Sequence, residues 1–288
     1  MTSIPPAAPP SGADTGFVDL HAHSTASDGS RAPAEVVREA KRVGLVALAL
    51  TDHDTVAGIA EATAAGAELG VRVVAGIELS AVERDTETHI LGLHLSDIHE
   101  MEYTLVGLRE MRRTRAQRMV ARLNELGVRI ELPSVLEQAA GGAIGRPHVA
   151  RALVAEGWAT DLRDAFDRYL GNGKPAYIPK DRLAARDAIA IIHRAGGLAV
   201  LAHPAHGGTL DRIAAFVEEG IDGVEVRHPS HSSEDVARLG ALVEHFKLVP
   251  SGGSDWHGAS EGPRTLGMMR VPAAWLARQD ERIAARVA

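Results

Sequence analysis

Short apolar runs recur along the chain, each beside a polar, charged cluster. Phe17–Leu20 runs into His21 and His23, Leu45–Leu50 into Asp52, His53 and Asp54, and Val71–Ala75 into Glu78. Ile90–Leu95 follows His89, and Leu198–Ala202 runs into His203. Ile221–Val226 surrounds Glu225 and precedes His228, and Leu248–Pro250 leads to Asp255 and His257. Such short runs, bounded by turn residues and rich in Val, Leu and Ile, are the pattern of strands buried on both faces of a parallel sheet. Helical periods lie between many of them. Pro33 opens one through Lys41, with Gly44 to close it. Val56–Leu69 ends at Gly70, Ala184–Ala195 at Gly196-Gly197 and Leu210–Glu219 at Gly220, and Glu234–Phe246 precedes a strand. Alternating strand and helix predicts an α/β fold with a parallel sheet and helices outside. Seven strands with polar residues at their C-terminal ends predict a barrel with its chemistry on that face.

The stretch 99–173 breaks this rhythm. It has helical patterns at Met101–Leu126, Pro147–Gly157 and Thr160–Leu170, and no convincing strand. It reads as a helical insertion, placed to act as a cap, in a barrel made of 17–98 and 174–288. Residues 1–16, rich in Pro and Ala, read as a disordered tail rather than a signal peptide. No repeat at a solenoid period is found.

The 288 residues suit one large domain or a domain with an inserted subdomain. With no cysteine, disulfides and thiolate metal sites are excluded, and a cytoplasmic location is expected. No apolar run approaches the roughly 20 residues of a membrane helix, so no membrane partner is expected. The net charge of −7 argues against sequence-blind binding of long nucleic acid, but not against a small anionic substrate. Bound cations would add positive charge that this count omits.

The 14 histidines, several beside Asp or Glu, change the picture most. On a strand, His21 and His23 point the same way and can reach one ion, with Asp28 and Gly29 in the loop beyond. His53 is a candidate ligand. Asp52 can hydrogen-bond a ligand imidazole, and Asp54 or Thr55 can cap the next helix. Glu78 can bridge two ions. Singly, Glu78 also suits a capped turn, His89 a satisfied edge position and His203 a packed core position. Asp255 and His257 share a side if the segment is extended.

Together, Asp19-Leu20-His21-Ala22-His23-Ser24 through Asp28-Gly29, Thr51-Asp52-His53-Asp54, Gly76-Ile77-Glu78, Leu201-Ala202-His203-Pro204 and Gly253-Ser254-Asp255-Trp256-His257 resemble the PHP (polymerase and histidinol phosphatase) superfamily. The likeness is in order and spans nearly the whole chain. Gly145-Arg146-Pro147-His148, Lys174-Pro175-Ala176-Tyr177-Ile178-Pro179 and Glu225-Val226-Arg227-His228-Pro229-Ser230-His231-Ser232 resemble its branch with a helical insertion. That branch includes nucleoside 3',5'-bisphosphate phosphatases and a 5'-to-3' exoribonuclease of short RNA. The resemblance implies a distorted (β/α)7 barrel and three divalent metal ions. It implies a first ion on His21, His23, Glu78 and Asp255, a second on Asp28, His53 and His203, and a third on Glu78, His89 and His257. Imidazole and carboxylate ligands without sulfur suit manganese, iron or zinc, and the family leans to manganese. Trp256 stands where phenylalanine is common, and Arg227 where an aromatic often sits.

The implied activity is hydrolysis of a phosphate ester by metal-activated hydroxide, with no protein nucleophile. His228 and His231 are candidates for the leaving-group acid; the plainer reading makes them polar loop histidines. Arg112, Arg115, Arg118 and Arg122 would form one helical stripe, either a solvated face or a phosphate-facing cap surface. Arg146, beside a helix start at Pro147, is the better phosphate ligand, with His148 assisting. The expected substrate is a nucleoside 3',5'-bisphosphate or a short 5'-phosphorylated oligoribonucleotide. The alternatives are another small phosphomonoester, as in histidinol phosphatases, a metal-dependent amidohydrolase, and a non-catalytic binding module. The lysine that bridges metals in many amidohydrolases has no counterpart among Lys41, Lys174, Lys180 and Lys247, none of which ends a clear strand. The oligomeric state is not legible.

Overall fold

The computed structural model describes residues 16–84, 86–139, 144–179 and 183–287. Apart from Gly16, the expected tail lies outside them, as does Lys180. Among the described residues, eight strands form one sheet: β1 (Phe17–Ala22), β2 (Ala47–Leu50), β3 (Arg72–Glu83), β4 (Thr86–Leu93), β5 (Leu198–Leu201), β6 (Gly223–Arg227), β7 (Val249–Gly252) and β8 (Val271–Pro272). Their order is β7-β6-β5-β4-β3-β2-β1-β8. The sheet curls until its ends meet. β8 pairs with the start of β1, and the segment after β7 runs along its end, through Asp255 N–H to His21 O at 2.9 Å and His23 N–H to Trp256 O at 2.8 Å. This is an α/β barrel, as the apolar runs predict.

The strands alternate as a closed sheet demands. Leu48 and Leu50 face outward, against Val36 and Val37 of α1 (Pro33–Arg42) and Ala62 of α2 (Ile59–Leu69). Ala47 and Ala49 face inward with Leu20, Leu91, Leu93 and Val200, small residues fitting the narrow interior. Gly44 and Gly70 take left-handed conformations just past the ends of α1 and α2, which an L side chain resists. α2 starts later than the expected Val56 because Asp54 and Thr55 remain in the loop. The outer layer continues with α7 (Ala185–Arg194), α8 (Leu210–Glu218) and α9 (Ser233–His245), while α10 (Ala273–Val287) sets Ala273 and Leu276 against the interior cluster.

One strand departs from expectation. β4 is antiparallel to both β3 and β5, so the sheet is not wholly parallel. The register Glu83↔Thr86 leaves two residues between the strands, too few for a crossover, and a hairpin results. His89, near the start of β4, therefore lies at the end of the barrel where the parallel strands finish. β3 also extends well past Ala75, so Glu78 lies within it.

Between β4 and β5 the chain is helical: α3 (Ile98–Glu125), α4 (Leu132–Ala139), α5 (Arg146–Ala155) and α6 (Leu162–Ala165), the last running into a π-helical turn at Phe166–Leu170. Met119, Leu123, Val149, Leu153 and Leu170 form an apolar cluster separate from those of the barrel. Among the described residues no helix is long and apolar enough to cross a membrane.

Two bulges shape the barrel mouth. Asp19 and Ala22 of β1 pair with Leu48 and Leu50 of β2, three steps against two. The extra residue lets Leu20 stay in the interior cluster while His21 also turns inward. The other bulge lies between Glu225 and Arg227 of β6.

Ring closure leaves no room at Gly253. A Cβ there would lie 2.4 Å from both N and Cβ of His21 and 2.7 Å from Asp19 Oδ1. Gly253→Ala is therefore expected to lower unfolding free energy by about 1–3 kcal/mol. Gly240→Ala, inside α9 where an added Cβ meets nothing within 4 Å, is expected to raise it by about 0.5–1 kcal/mol. Urea midpoints that fail to separate the two variants would contradict this.

Candidate metal centre

Glu78 occupies the middle of the barrel mouth, 1% exposed. Its two oxygens face different histidines. Oε2 lies 3.3 Å from Nε2 of both His21 and His23 and 3.1 Å from His53 Nδ1. Oε1 lies 2.7 Å from His89 Nδ1 and 3.1 Å from His203 Nε2. Asp255 Oδ1 closes one side, 3.2 Å from His23 Nε2 and 3.5 Å from His21 Nε2. Asp28 closes the other, with Oδ1 3.1 Å from His257 Nε2 and Oδ2 4.0 Å from His53 Nε2. Asp54, His203 and Asp255 hold left-handed backbone at φ 49°, 30° and 51°, strain of the kind that accumulates at functional sites.

Tautomers test whether this set fits a cation. His21 Nδ1 faces Glu225 Oε1 at 3.0 Å and carries the hydrogen there, so its Nε2 presents a lone pair. That lone pair meets His23 Nε2 at 3.1 Å besides the carboxylates. His257 Nδ1 donates to the Asp255 carbonyl at 2.9 Å, which leaves its Nε2 lone pair facing Asp28. Acceptors thus converge on acceptors, an arrangement that a cation between them satisfies. Among the described residues, groups with ligand atoms close enough for one ion are His21, His23, Glu78 and Asp255; His23, Asp28, His53 and His257; His53, Glu78 and His89; and His21, Glu225 and His228.

Without a cation, protons on His21 and His23 balance the carboxylates instead, protons that a bound ion would displace. Burial works against charge on His21 and His23, but the surrounding carboxylates outweigh it, raising His21 well above its ordinary value and His23 to about 10. Burial likewise opposes ionisation of Glu78, Asp28 and Asp255, yet the histidines hold all three well below the usual carboxylate range. Burial prevails at His53 and pushes it to about 3, the neutral form a metal ligand needs.

All nine predicted ligands meet at this mouth, but two are grouped differently from expectation. His257 sits with Asp28, because Ser30 N–H bonds the His257 carbonyl at 3.0 Å and ties its loop to 24–30. His203 sits with His89 on Oε1 of Glu78, because Ala202 N–H bonds the His89 carbonyl at 3.1 Å beside antiparallel β4. Asp255, being left-handed, does not share an extended segment with His257. Asp52 bonds no imidazole; it accepts from Ser24 N and from Oγ of Ser24 and Ser27 at 2.6–2.7 Å, bracing the Asp28 loop. Asp54 caps no helix; it accepts from Ser80 N at 2.8 Å and from Arg112 Nε at 2.5 Å.

The arginine stripe is not one surface. Arg112 is spent on Asp54 and Ser80. Arg115 is buried, its Nε on the Ile178 carbonyl at 2.8 Å, its Nη2 without a partner among the described residues. Arg118 is exposed, and Arg122 binds the Pro175 carbonyl and Glu125. Arg146 lines a cavity of about 740 Å³ together with His89, His203 and Asn172.

His148 does not reach that cavity. It is buried and its Nδ1 accepts from Gly145 N–H at 2.9 Å. His231 has no nitrogen to spare for a leaving group, since Nδ1 donates to the Val226 carbonyl at 2.9 Å and Nε2 accepts from Ala205 N–H at 3.1 Å. His228 differs. Nδ1 accepts from Ser230 N–H at 3.1 Å, so Nε2 carries the hydrogen, 3.5 Å from Asp255 Oδ2.

Sequence reasoning assigned no role to Glu225 or Arg264. Glu225, fully buried, orients His21 and accepts from His203 N–H at 2.7 Å. Its signal was a lone acid between Val224 and Val226. Arg264, ion-paired with Asp255, stands in an irregular loop that gives no periodic signal.

Comparison with known proteins places these features in context. The PHP domain family model matches residues 19–174. The 5'-3' exoribonuclease Rnm of Escherichia coli is 37% identical over 247 residues, 83% of this chain and 84% of that protein. A phosphoribosyl 1,2-cyclic phosphate 1,2-diphosphodiesterase of Eggerthella lenta is 38% identical over 88% of this chain and 99% of its own length. A 3',5'-nucleoside bisphosphate phosphatase of Chromobacterium violaceum is 37% identical over 87% and 90%. The crystal structure of a metal-dependent phosphoesterase from Bifidobacterium adolescentis superposes with a TM-score of 0.84 at 33% identity, covering 92% of this chain and 96% of that one.

His148 makes stability depend on pH. Burial, then the nearby Arg151 charge, pushes its pKa down to about 4 from an ordinary 6.5. Below 6.5 the unfolded chain takes up a proton that the folded chain refuses until about 4, so the stability is fully present above 6.5 and lost as pH falls through that window. His148→Gln keeps an acceptor for Gly145 and removes the titration. With chelator present, urea unfolding at pH 7 and pH 4.5 should show a drop about 2 kcal/mol smaller in the variant than in the wild type. Equal drops would show that His148 does not titrate in this way.

Proposed function

This chain belongs to the PHP domain family, and on that premise we propose that it hydrolyses nucleoside 3',5'-bisphosphates or short 5'-phosphorylated oligoribonucleotides at a centre of three divalent ions, manganese foremost. The class of reaction is the family's: the chain is a metal-dependent phosphoesterase. The observation carrying the narrower reading is the cavity of about 740 Å³ that starts at His89 and His203 and has Arg146 in its wall.

A metal cluster accepts any phosphate monoester, so selectivity has to come from groups beside it. Arg146 is held by Asn172 Oδ1 at 3.0 Å and the Leu170 carbonyl at 3.4 Å, with Glu87 Oε2 3.8 Å from its Nη2, where a phosphate would compete, and the Tyr177 ring 5.4 Å from its guanidinium carbon. So held, its planar fork is ready for a phosphate. Arg115 adds a buried positive charge nearby; burial, with Arg146 next among the causes, lowers its pKa only to about 10, so it stays charged near neutrality. A ribose bearing two phosphate groups places one at Glu78 and the other at Arg146. A phosphoribosyl cyclic phosphate, the substrate class named for the Eggerthella relative, makes the same demand and is the second reading.

His21, His23, Glu78 and Asp255 would hold the first ion, Asp28, His53 and His257 the second, and Glu78, His89 and His203 the third. Ions bound there supply Lewis acidity, polarising phosphate oxygens and making water a competent nucleophile near neutral pH. The chain's own residues orient and exclude. Glu225 keeps the His21 lone pair inward, and Asp52 keeps Asp28 in place. His228, with its hydrogen on Nε2, is the remaining group able to pass a proton to a leaving oxygen. The helices of 99–173 act as a cap over the barrel of 17–98 and 174–288, with Arg146 as their contact to substrate.

Turnover of adenosine 3',5'-bisphosphate, short 5'-phosphorylated RNA, histidinol phosphate and an aryl phosphate, with manganese and with chelator, tests this. Chelation should abolish all activity, and the doubly phosphorylated substrates should be preferred. Activity undiminished in chelator would overturn the metal centre, and faster histidinol phosphate hydrolysis the substrate.

Arg146→Ala should lower kcat/KM on the bisphosphate about ten- to a hundredfold, the worth of one charged hydrogen bond, and leave the aryl phosphate nearly unchanged. Equal losses on both would place Arg146 at the scissile group or in folding.

A further inference from the structure

The two oxygens of Asp255 serve different neighbours. Oδ1 turns toward the ligand cluster, 3.2 Å from His23 Nε2 and 3.5 Å from both His21 Nε2 and His257 Nδ1. Oδ2 turns away, toward His228 Nε2 at 3.5 Å and into an ion pair with the Arg264 guanidinium. Arg264 also reaches the main-chain carbonyl of Asp255 at 3.5 Å. Its side chain is 47% exposed, while that of Asp255 is 13% exposed, so the pair joins a buried carboxylate to a solvent-facing cation. Among the described residues, Arg264 is the one guanidinium lining the cavity of about 340 Å³ over the cluster, beside His53, Glu78, His89, His203 and His228.

An unrestrained carboxylate rotates, and can offer an ion either oxygen or both. Each choice changes how many positions around that ion remain for substrate and water. A group that fixes one oxygen decides the matter. We infer that Arg264 is a positioning residue: it holds Oδ2 of Asp255 so that Oδ1 alone faces His21 and His23. The inference rests on the reading of this mouth as a metal centre. Outer partners of this kind are typically worth 10- to 100-fold in metal affinity.

Manganese titration calorimetry on the wild type, Arg264→Ala and Arg264→Lys tests it, with thermal unfolding in chelator as the check on folding. The expected result is about 10- to 100-fold weaker binding at one site of Arg264→Ala, with the other sites unchanged. Arg264→Lys, which keeps the charge, should recover part of the loss, and it carries the test if the alanine variant does not fold. A wild type that binds no manganese sinks the metal-centre reading itself. A wild type that binds while both variants match it sinks this inference alone. The inference is equally overturned if Arg264→Ala leaves the manganese isotherm intact and weakens only inhibition by orthophosphate, since Arg264 would then be a substrate contact.

Discussion

A carboxylate buried as deeply as Glu78 stays ionised only if cations or donors surround it, because the desolvation cost is otherwise prohibitive. Five imidazoles approach its two oxygens at 2.7–3.3 Å. They come from β1 and its following loop, the loop after β2, β4 and the turn after β5. No single element could build this cluster. It requires a ring, and closing the ring requires the segment after β7 to lie against β1, where Gly253 allows contact and Asp19 accepts from Ser254 N–H and Gly267 N–H at 3.0 and 2.8 Å. Buried Asp19 is thus the counterpart of Glu78: one carboxylate is surrounded by backbone donors to close the barrel, the other by imidazoles to furnish its mouth.

Much of this was legible in the residues. The apolar runs located the strands because a doubly covered sheet leaves no polar face to blur them. The polar residues beside each run marked the chemical end, since chain ends of parallel strands gather there. What could not be read was geometry between distant segments. The reversal of β4 depends on a two-residue connection, invisible while Val71–Ala75 looked like the whole of its neighbour. His203 and His257 exchanged places because hydrogen bonds to His89 and Ser30 decide which carboxylate each meets. The bulges that aim His21 and Glu225 break the period of two on which strand reading relies. Spacing along α3 put its arginines on one stripe, but what each meets differs: a carboxylate for Arg112, a carbonyl in the interior for Arg115, solvent for Arg118.

The helices between β4 and β5 are keyed to the loops that carry ligands. Arg112 of α3 holds Asp54, next to His53. Arg151 of α5 donates to the Asp28 carbonyl at 2.6 Å. Two of the loops facing the mouth therefore take part of their shape from side chains that belong to the helical segment. The same helical segment that sets Arg146 in the cavity wall also steadies the loops of His53 and Asp28, so the cavity and the cluster share one scaffold.

The reversed strand has a further consequence, one of parity. A strand running with its neighbours delivers the chain to the chemical face; β4 delivers it to the opposite face, where Leu93 pairs with Leu198. α3 begins there, and its 28 residues, about 42 Å of helix, carry the chain back past the wall to the mouth. The return is made at Leu183, whose carbonyl accepts from Val82 N–H at 2.8 Å, and α7 then descends to start β5. The described residues between climb and descent stand outside the ladder of strand hydrogen bonds. The registers of the ring therefore do not depend on how many residues that segment holds, while Arg112 and Arg151 tie its sequence to the loops at the mouth.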